Sequence, residues 1–177
     1  MKATGIVRRI DDLGRVVIPK EIRRTMHIRE GDPLEIFTDA NGEVIFKKYS
    51  QIAELGNFAS QYADALQKVG GAPVAICDRE QIVAVSGLPK RDIIEKKITS
   101  TLDKLLQSRS SFVNDSGKQI YPIDGIDKVV SCCMPIVSGG DLSGGVMFIS
   151  DQARPADQSQ VKLLQAAAMF LGKQMED

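Results

Sequence analysis

The chain has 177 residues, with 23 Lys or Arg and 23 Asp or Glu, so its formal net charge at pH 7 is zero. Its hydrophobic content of 43% is typical of a folded globular protein and argues against a disordered chain. No apolar run approaches the roughly 20 residues that span a bilayer, and no apolar segment follows the basic N-terminus. We therefore expect neither a membrane-spanning helix nor a signal peptide.

The first fifty residues are predicted to form short strands around one small helix. In chain order the elements are β-rich runs at Thr4–Ile10 and Val16–Ile18, a helix from Pro19, a turn at Gly31–Pro33, and strands at Leu34–Phe37 and Glu43–Lys48. Asn41-Gly42 between the last two strands is a strong hairpin signal. A segment this small buries little surface alone, so we expect an obligate dimer to complete its core.

The rest of the chain alternates helical and strand patterns. Helices are predicted at Ala53–Val69, Arg91–Ser108 and Asp157–Met175, and strands at Pro73–Cys77, Gln81–Ser86, Phe112-Val113, Gln119–Ile123, Lys128–Val137 and Gly145–Ser150. The loop at Ser138–Gly144 is interpreted as a hairpin turn, because it lacks the lysine and the spacing of a phosphate-binding loop. This order predicts the α+β class, with an antiparallel sheet that carries packed helices.

Positive charge is concentrated at the N-terminus. Residues 1–24 hold seven Lys or Arg and three Asp or Glu, so the remaining 153 residues are net negative by the same amount. Within Gly14–Arg24, arginines lie on both sides of the strand-to-helix junction. Guanidinium groups fixed in this way suit nucleic-acid phosphates and guanine edges, and the asymmetry indicates an anionic partner.

The N-terminal segment resembles the AbrB family of bacterial transition-state regulators. The matching stretches are Thr4–Arg9, Asp12–Pro19, Glu21–Arg24 and Leu34–Ile36. The resemblance implies an AbrB-like DNA-binding domain at residues 1–50, in which two chains interleave their hairpins into one swapped-hairpin β-barrel. A short linker is then expected at 51–55.

The resemblance also assigns candidate DNA-binding residues. Arg8, Arg15, Arg23 and Arg24 fall on positions that the family uses to contact DNA. Arg8 shares strand parity with Ile6 and Ile10, so alternation alone does not place it on a polar face.

Other cations are assigned by position. Lys20 can share one helical edge with Arg23 and Arg24, Lys2 and Arg9 add unspecific phosphate attraction, and Lys47 and Lys48 are interpreted as a solvated strand end. Arginines on a barrel surface favour sequence-tolerant readout of DNA shape and flexibility.

Residues 56–177 resemble a GAF-like domain by element order. An AbrB-like head followed by such a body resembles forespore transcription factors of endospore-forming bacteria, which activate some promoters and repress others. The resemblance thus implies a cytoplasmic, nucleoid-associated regulator whose second domain oligomerises and can bind an unidentified small ligand. The wide apolar arc of the helix over Val161–Met175 predicts a four-helix contact that joins two dimers into a tetramer.

No catalytic or metal site is expected. No nucleophile, base and orienting group can be assembled, so an enzyme is not predicted. His27 is the only histidine and is interpreted as a helix cap or surface residue. The cysteines are interpreted as core residues of a reduced protein, and Cys132 and Cys133 should point to opposite faces of a strand.

Three alternatives stay open at this stage. The same barrel serves in antitoxins of toxin–antitoxin pairs, although those usually carry an extended acidic tail. The second domain could be a ligand sensor with DNA binding as a secondary property. It could also be a scaffold that binds nothing, because a pocket would be lined by generic residues that the sequence does not distinguish.

Overall fold

The computed structural model describes residues 4–115, 118–151 and 155–176, so Lys2 lies outside the described residues. The chain divides into two compact units, Met1–Tyr49 and Ser50–Asp177. In the described part of the chain, no helix combines the length and the apolarity needed to cross a membrane.

The first unit contains one short helix and one hairpin. Helix α1 spans Lys20–Thr25, and strands β1 (Leu34–Thr38) and β2 (Val44–Lys48) pair antiparallel with Ile36 opposite Phe46. The hairpin agrees with the prediction, whereas Pro19 precedes the helix as its N-cap instead of occupying its first position. The strands predicted at 4–10 and 16–18 are absent within the described chain, because neither run meets a neighbouring strand to hydrogen-bond.

The first unit has almost no core of its own. Pro19 is the one buried residue among its described residues. The exposed apolar side chains include Val7 at 88%, Ile10 at 70%, Leu13 at 69% and Val17 at 68%. So many exposed large apolar side chains in one small unit indicate a surface suited to a partner.

The second unit is built on a five-stranded antiparallel sheet in the order β4-β3-β7-β6-β5. Its helices are α2 (Gln51–Glu54), α3 (Gly56–Gly70), α4 (Ser100–Gln107) and α5 (Gln158–Gln174), and its strands are β3 (Val74–Cys77), β4 (Ile82–Ser86), β5 (Phe112–Val113), β6 (Val129–Ser138) and β7 (Asp141–Ser150). The predicted α+β class is confirmed.

Helices cover both faces of the sheet. Phe148 packs with residues of α3 and α5 in one cluster, while Met147 packs with Leu102 and Leu106 of α4 in the other. Cys132 belongs to the first cluster and Cys133 to the second, which confirms that these neighbours point to opposite faces.

The predicted helix at Arg91–Ser108 is wrong over its first half. A 3-10 turn at Lys90–Asp92 is followed by irregular chain, and α4 begins only after Thr99, whose hydroxyl accepts from the Leu102 amide at 3.2 Å. Glu95 has a φ of 63°, and the Ile82 amide donates to the Lys96 carbonyl at 3.0 Å. Backbone pairing with β4 therefore replaces the helix that the spacing of apolar residues predicts.

Three smaller differences concern connections. Gln119–Ile123 is not a strand and contributes only a single bridge, between Ile123 and Ile98. The hairpin predicted over 138–144 is tighter, because Gly139 and Gly140 adopt φ of 56° and 85° and pair Ser138 with Asp141. Residues 51–54, assigned to a linker, form α2 within the second unit, since Ile52 is fully buried in its core.

Candidate nucleic-acid interface

A tight turn at Asp11–Arg15 positions the first candidate arginine. The Asp11 carboxylate accepts the backbone amides of Leu13 at 3.0 Å and Arg15 at 2.7 Å, and the Arg15 Nε–H at 2.8 Å. Gly14 takes a φ of 75°, a conformation that L-residues with side chains rarely adopt, and its amide donates to the Asp11 carbonyl. The Arg15 side chain is 69% exposed, so the turn fixes its base and leaves the guanidinium facing solvent.

Helix α1 carries three more candidates and has a defined end. Lys20, Arg23 and Arg24 are all exposed on this helix. The Ile28 amide donates to the Arg23 carbonyl at 2.8 Å and the His27 amide to the Arg24 carbonyl at 3.3 Å, which is the Schellman pattern. His27 occupies the left-handed position with a φ of 52°, consistent with the predicted cap.

The remaining candidates lie on the irregular N-terminal segment. Arg8 and Arg9 are exposed, and residues 4–10 form no strand within the described chain. Among the described residues, Arg15 has an ion partner in Asp11, whereas Arg8, Arg9, Lys20, Arg23 and Arg24 make no salt bridge. These five cations are therefore available to an external anion.

Three residues of this unit make contacts that the sequence did not predict. Asp11 was not assigned a role, although the Asp-x-x-Gly pattern at 11–14 is a turn signal that could have found it. Lys48, interpreted as a solvated strand end, is half-buried and its Nζ donates to the His27 carbonyl at 2.5 Å. Lys47 lies with its Nζ 4.6 Å from the centre of the Phe37 ring.

An aromatic cluster lies on the outer face of α3 and α5 in the second unit. Phe58 stacks on Tyr62 with ring centroids 5.9 Å apart, and Phe170 lies 6.0 Å from Phe58 and 5.4 Å from Tyr62. Phe58 and Phe170 remain 36% and 42% exposed, and Met169 is 77% exposed. The face of α5 turned to the sheet is buried through Leu164, Ala167, Ala168 and Leu171.

A cavity of about 600 Å³ opens beside the start of α4. Its lining is largely polar and comprises Thr99, Ser100, Thr101, Gln119, Tyr121, Ile123, Asp124, Gly125, Ile126 and Asp127. The Thr99 hydroxyl donates to the Tyr121 carbonyl at 2.7 Å, and the Tyr121 hydroxyl donates to Gln119 Oε1 at 3.0 Å. The wall of the cavity is thus held by internal hydrogen bonds.

All three cysteines are buried free thiols, as predicted. Burial raises the pKa of Cys132 to about 11 and raises the pKa values of Cys77 and Cys133 above their ordinary range. Because the thiolate is the reactive form, these side chains behave as small core residues.

Both units of the chain match families of known proteins. Residues 54–176 match the family described as stage V sporulation protein T C-terminal, transcription factor. Residues 7–53 match the family described as antidote-toxin recognition MazE, bacterial antitoxin. The chain belongs to the stage V sporulation protein T family.

Individual relatives agree with this assignment. The chain is 52% identical over 178 residues to stage V sporulation protein T of Bacillus subtilis, covering 99% of each protein. It is 61% identical over 49 residues to the transition state regulatory protein AbrB of the same organism, across 28% of this chain and 50% of AbrB.

A solved structure relates the second unit to a known fold. The cofactor binding GAF domain of the nutrient sensor CodY from Clostridium difficile superposes with a TM-score of 0.51 at 15% identity, over 66% of this chain and 83% of that one. At this identity the likeness establishes the GAF fold alone.

Proposed function

We propose that this chain regulates transcription by binding double-stranded promoter DNA through its first unit. The observation that carries the proposal is that Arg8, Arg15, Arg23 and Arg24 are exposed, in a segment that is 61% identical to part of AbrB. Lys20, Arg9 and Lys2 add attraction for phosphates. Lys2 is included in this set from its position in the sequence alone. Contacts of this kind fix register on the duplex and leave sequence preference to DNA shape.

The first unit acts as a dimer in this proposal. Its described residues expose Val7, Ile10, Val17 and Ile36 at 62–88% and bury only Pro19, so a single copy has no core to hold it. Two copies that interleave their hairpins into one barrel would cover this surface and supply neighbours for the unpaired runs at 4–10 and 16–18. The arginine set is then doubled on one DNA-binding body.

The second unit joins two such dimers into a tetramer. Phe58, Met169 and Phe170 form an exposed apolar face on α3 and α5, opposite the surface that covers the sheet. Helices with two apolar faces bury the second one against another helix pair. A four-helix contact between GAF-like domains is the arrangement that we propose.

The biological setting follows from the family. We assign the chain to forespore gene expression during sporulation, as an activator at some promoters and a repressor at others, in the cytoplasm and associated with the nucleoid. We assign it no enzymatic activity. The GAF-like domain is proposed to bind a small molecule, with the cavity beside α4 as its site, since polar walls of this kind orient ligands.

The test of DNA binding is its salt dependence in the full-length protein. If most of eight arginines in a dimer reach phosphates, affinity for a promoter duplex should fall about 10³–10⁵-fold between 50 and 200 mM salt. Fluorescence anisotropy with a labelled duplex measures this directly. Affinity that is unchanged over this range would refute a phosphate-based interface.

Two other readings are kept as candidates. The match of residues 7–53 to an antitoxin family favours an antitoxin, but such a protein needs a toxin-binding segment, and most of residues 50–177 here are folded around one sheet. Co-purification of a stoichiometric toxin from the native host would support it. The other candidate is a ligand sensor in which DNA binding is secondary; it predicts ligand-induced thermal shifts together with weak, unspecific DNA binding.

A further inference from the structure

A second cationic surface lies in the GAF-like unit, on the segment 90–97 that follows β4. Residues 50–177 hold 13 Lys or Arg and 15 Asp or Glu, so this unit is acidic overall. Residues 90–97 hold four Lys or Arg and two acidic residues. Positive charge is thus concentrated on eight residues of an otherwise acidic body.

The backbone of this segment is fixed to the sheet. The Glu95 amide donates to the Ile82 carbonyl at 2.9 Å, and the Ile82 amide donates to the Lys96 carbonyl at 3.0 Å. Ile93 is 3% exposed and packs in the core beneath the segment. The cations are therefore presented from a rigid base, as in loops that carry binding residues on a stable scaffold.

All four cations are exposed and available. Lys90, Arg91, Lys96 and Lys97 lie on the surface, and none makes a salt bridge with a residue in the described ranges 4–115, 118–151 and 155–176. The two acidic residues of the segment, Asp92 and Glu95, likewise do not pair with them. The positive charge of the four cations is therefore left for an external anion.

A simpler role for lysines beside β4 is protection of an edge strand against pairing with another chain. The segment itself already occupies that edge at Ile82 through two backbone hydrogen bonds. Four unpaired cations exceed what this protection requires, and Lys90 and Arg91 lie on the 3-10 turn, outside the paired stretch.

We infer that the segment 90–97 is a second phosphate-binding surface that contacts duplex DNA. The inference rests on the proposed DNA binding of that unit. Lysine and arginine contact phosphates without reading sequence, and each phosphate that they neutralise releases counterions. The surface should therefore raise affinity for DNA without changing sequence preference.

The test uses the full-length protein and two variants with equal loss of charge. One variant carries Lys90→Gln, Arg91→Gln, Lys96→Gln and Lys97→Gln. The matched control carries Lys68→Gln, Lys104→Gln, Lys118→Gln and Lys162→Gln, four exposed lysines elsewhere in the same unit. Sedimentation velocity verifies that both variants keep the wild-type assembly. Affinity is then measured on a duplex of about 40 base pairs, which is about four helical turns.

On this duplex the 90–97 variant should bind about tenfold more weakly than the control, and its slope of log K against log salt should be smaller by about 2 or more. Equal affinities of the two variants would overturn the inference. If the wild type itself does not bind the duplex, the proposed function fails as well, which distinguishes the two failures.

Discussion

The Asp11 carboxylate and Arg15 are joined by two hydrogen bonds, one to the Arg15 backbone amide at 2.7 Å and one to its Nε–H at 2.8 Å. A single acid thus fixes both the backbone and the side chain of a candidate DNA-binding residue. The same carboxylate accepts the Leu13 amide at 3.0 Å and closes the turn. Asp11 is therefore a positioning residue for the interface.

This relationship predicts a pH dependence of the turn. The hydrogen bonds from the Arg15 amide and side chain lower the pKa of Asp11 from its ordinary value of 3.8. Because the folded pKa is lowered, the stabilisation is present at neutral pH and is lost only as pH falls through that folded pKa. The Leu13 and Arg15 amide resonances should titrate with a midpoint below 3.8. A midpoint at or above that value, or an unchanged titration in Asp11→Asn, would contradict the assignment.

The left-handed cap at His27 predicts a stabilising substitution. His27 adopts a φ of 52°, which glycine tolerates without steric cost. His27→Gly should stabilise the end of α1 by about 0.5–1 kcal/mol, while His27→Ala, which keeps the Cβ, should not. Hydrogen exchange of the Ile28 amide, which donates to the Arg23 carbonyl, reports this end of the helix. Equal protection in the two variants would argue against strain at this position.

Close contact between α5 and the sheet predicts that a larger residue at Gly172 destabilises the protein. A Cβ added at Gly172 would lie 2.2 Å from the Val137 carbonyl oxygen, so the helix would have to move away from β6. Gly172→Ala should lower the free energy of unfolding by about 1–3 kcal/mol despite the higher helix propensity of alanine. Gln165→Ala, at an exposed position of the same helix, is the matched control in urea unfolding. A Gly172→Ala protein as stable as that control would show that the helix is loosely packed.

The apolar face of α3 and α5 predicts the assembly state. The Phe170 ring lies 5.4 Å from the Tyr62 ring, centroid to centroid, on the face proposed to join dimers. Phe170→Glu places a charge in this apolar face, so the full chain should sediment as a dimer. Gln158→Glu, at the exposed start of α5, should leave the tetramer intact. Circular dichroism of both variants verifies the fold. A wild-type chain that is already a dimer would rule out the tetramer.

Structural elements were predicted most accurately where the local residue pattern and the tertiary packing favour the same conformation. The Asn41-Gly42 hairpin and the opposite faces of Cys132 and Cys133 follow from local turn chemistry and strand alternation, which tertiary structure does not override here. The spacing of Ile94, Ile98 and Leu102 is the same as that of the apolar face of a helix. Pairing of the chain with β4 and the left-handed Glu95 end that pattern before α4.

The candidate site was predicted only in part. Its arginines could be found because they lie in a family motif, whereas the role of Asp11 depends on hydrogen bonds within a turn. The runs 4–10 and 16–18 have strand composition but no neighbour in one chain, and composition alone does not reveal where the partner strand comes from.

The central claim is that the arginines of the first unit bind DNA, and equilibrium affinity for a promoter duplex tests it most directly. Arg15→Ala and Arg23→Ala in the full-length protein should each weaken binding about tenfold or more at moderate salt, because each removes a charged contact from both copies of the dimer. Lys47→Ala is the control, since it removes an exposed cation of the same unit that we place outside the interface. Affinities of both arginine variants equal to that of Lys47→Ala, with the dimer still folded, would contradict the account.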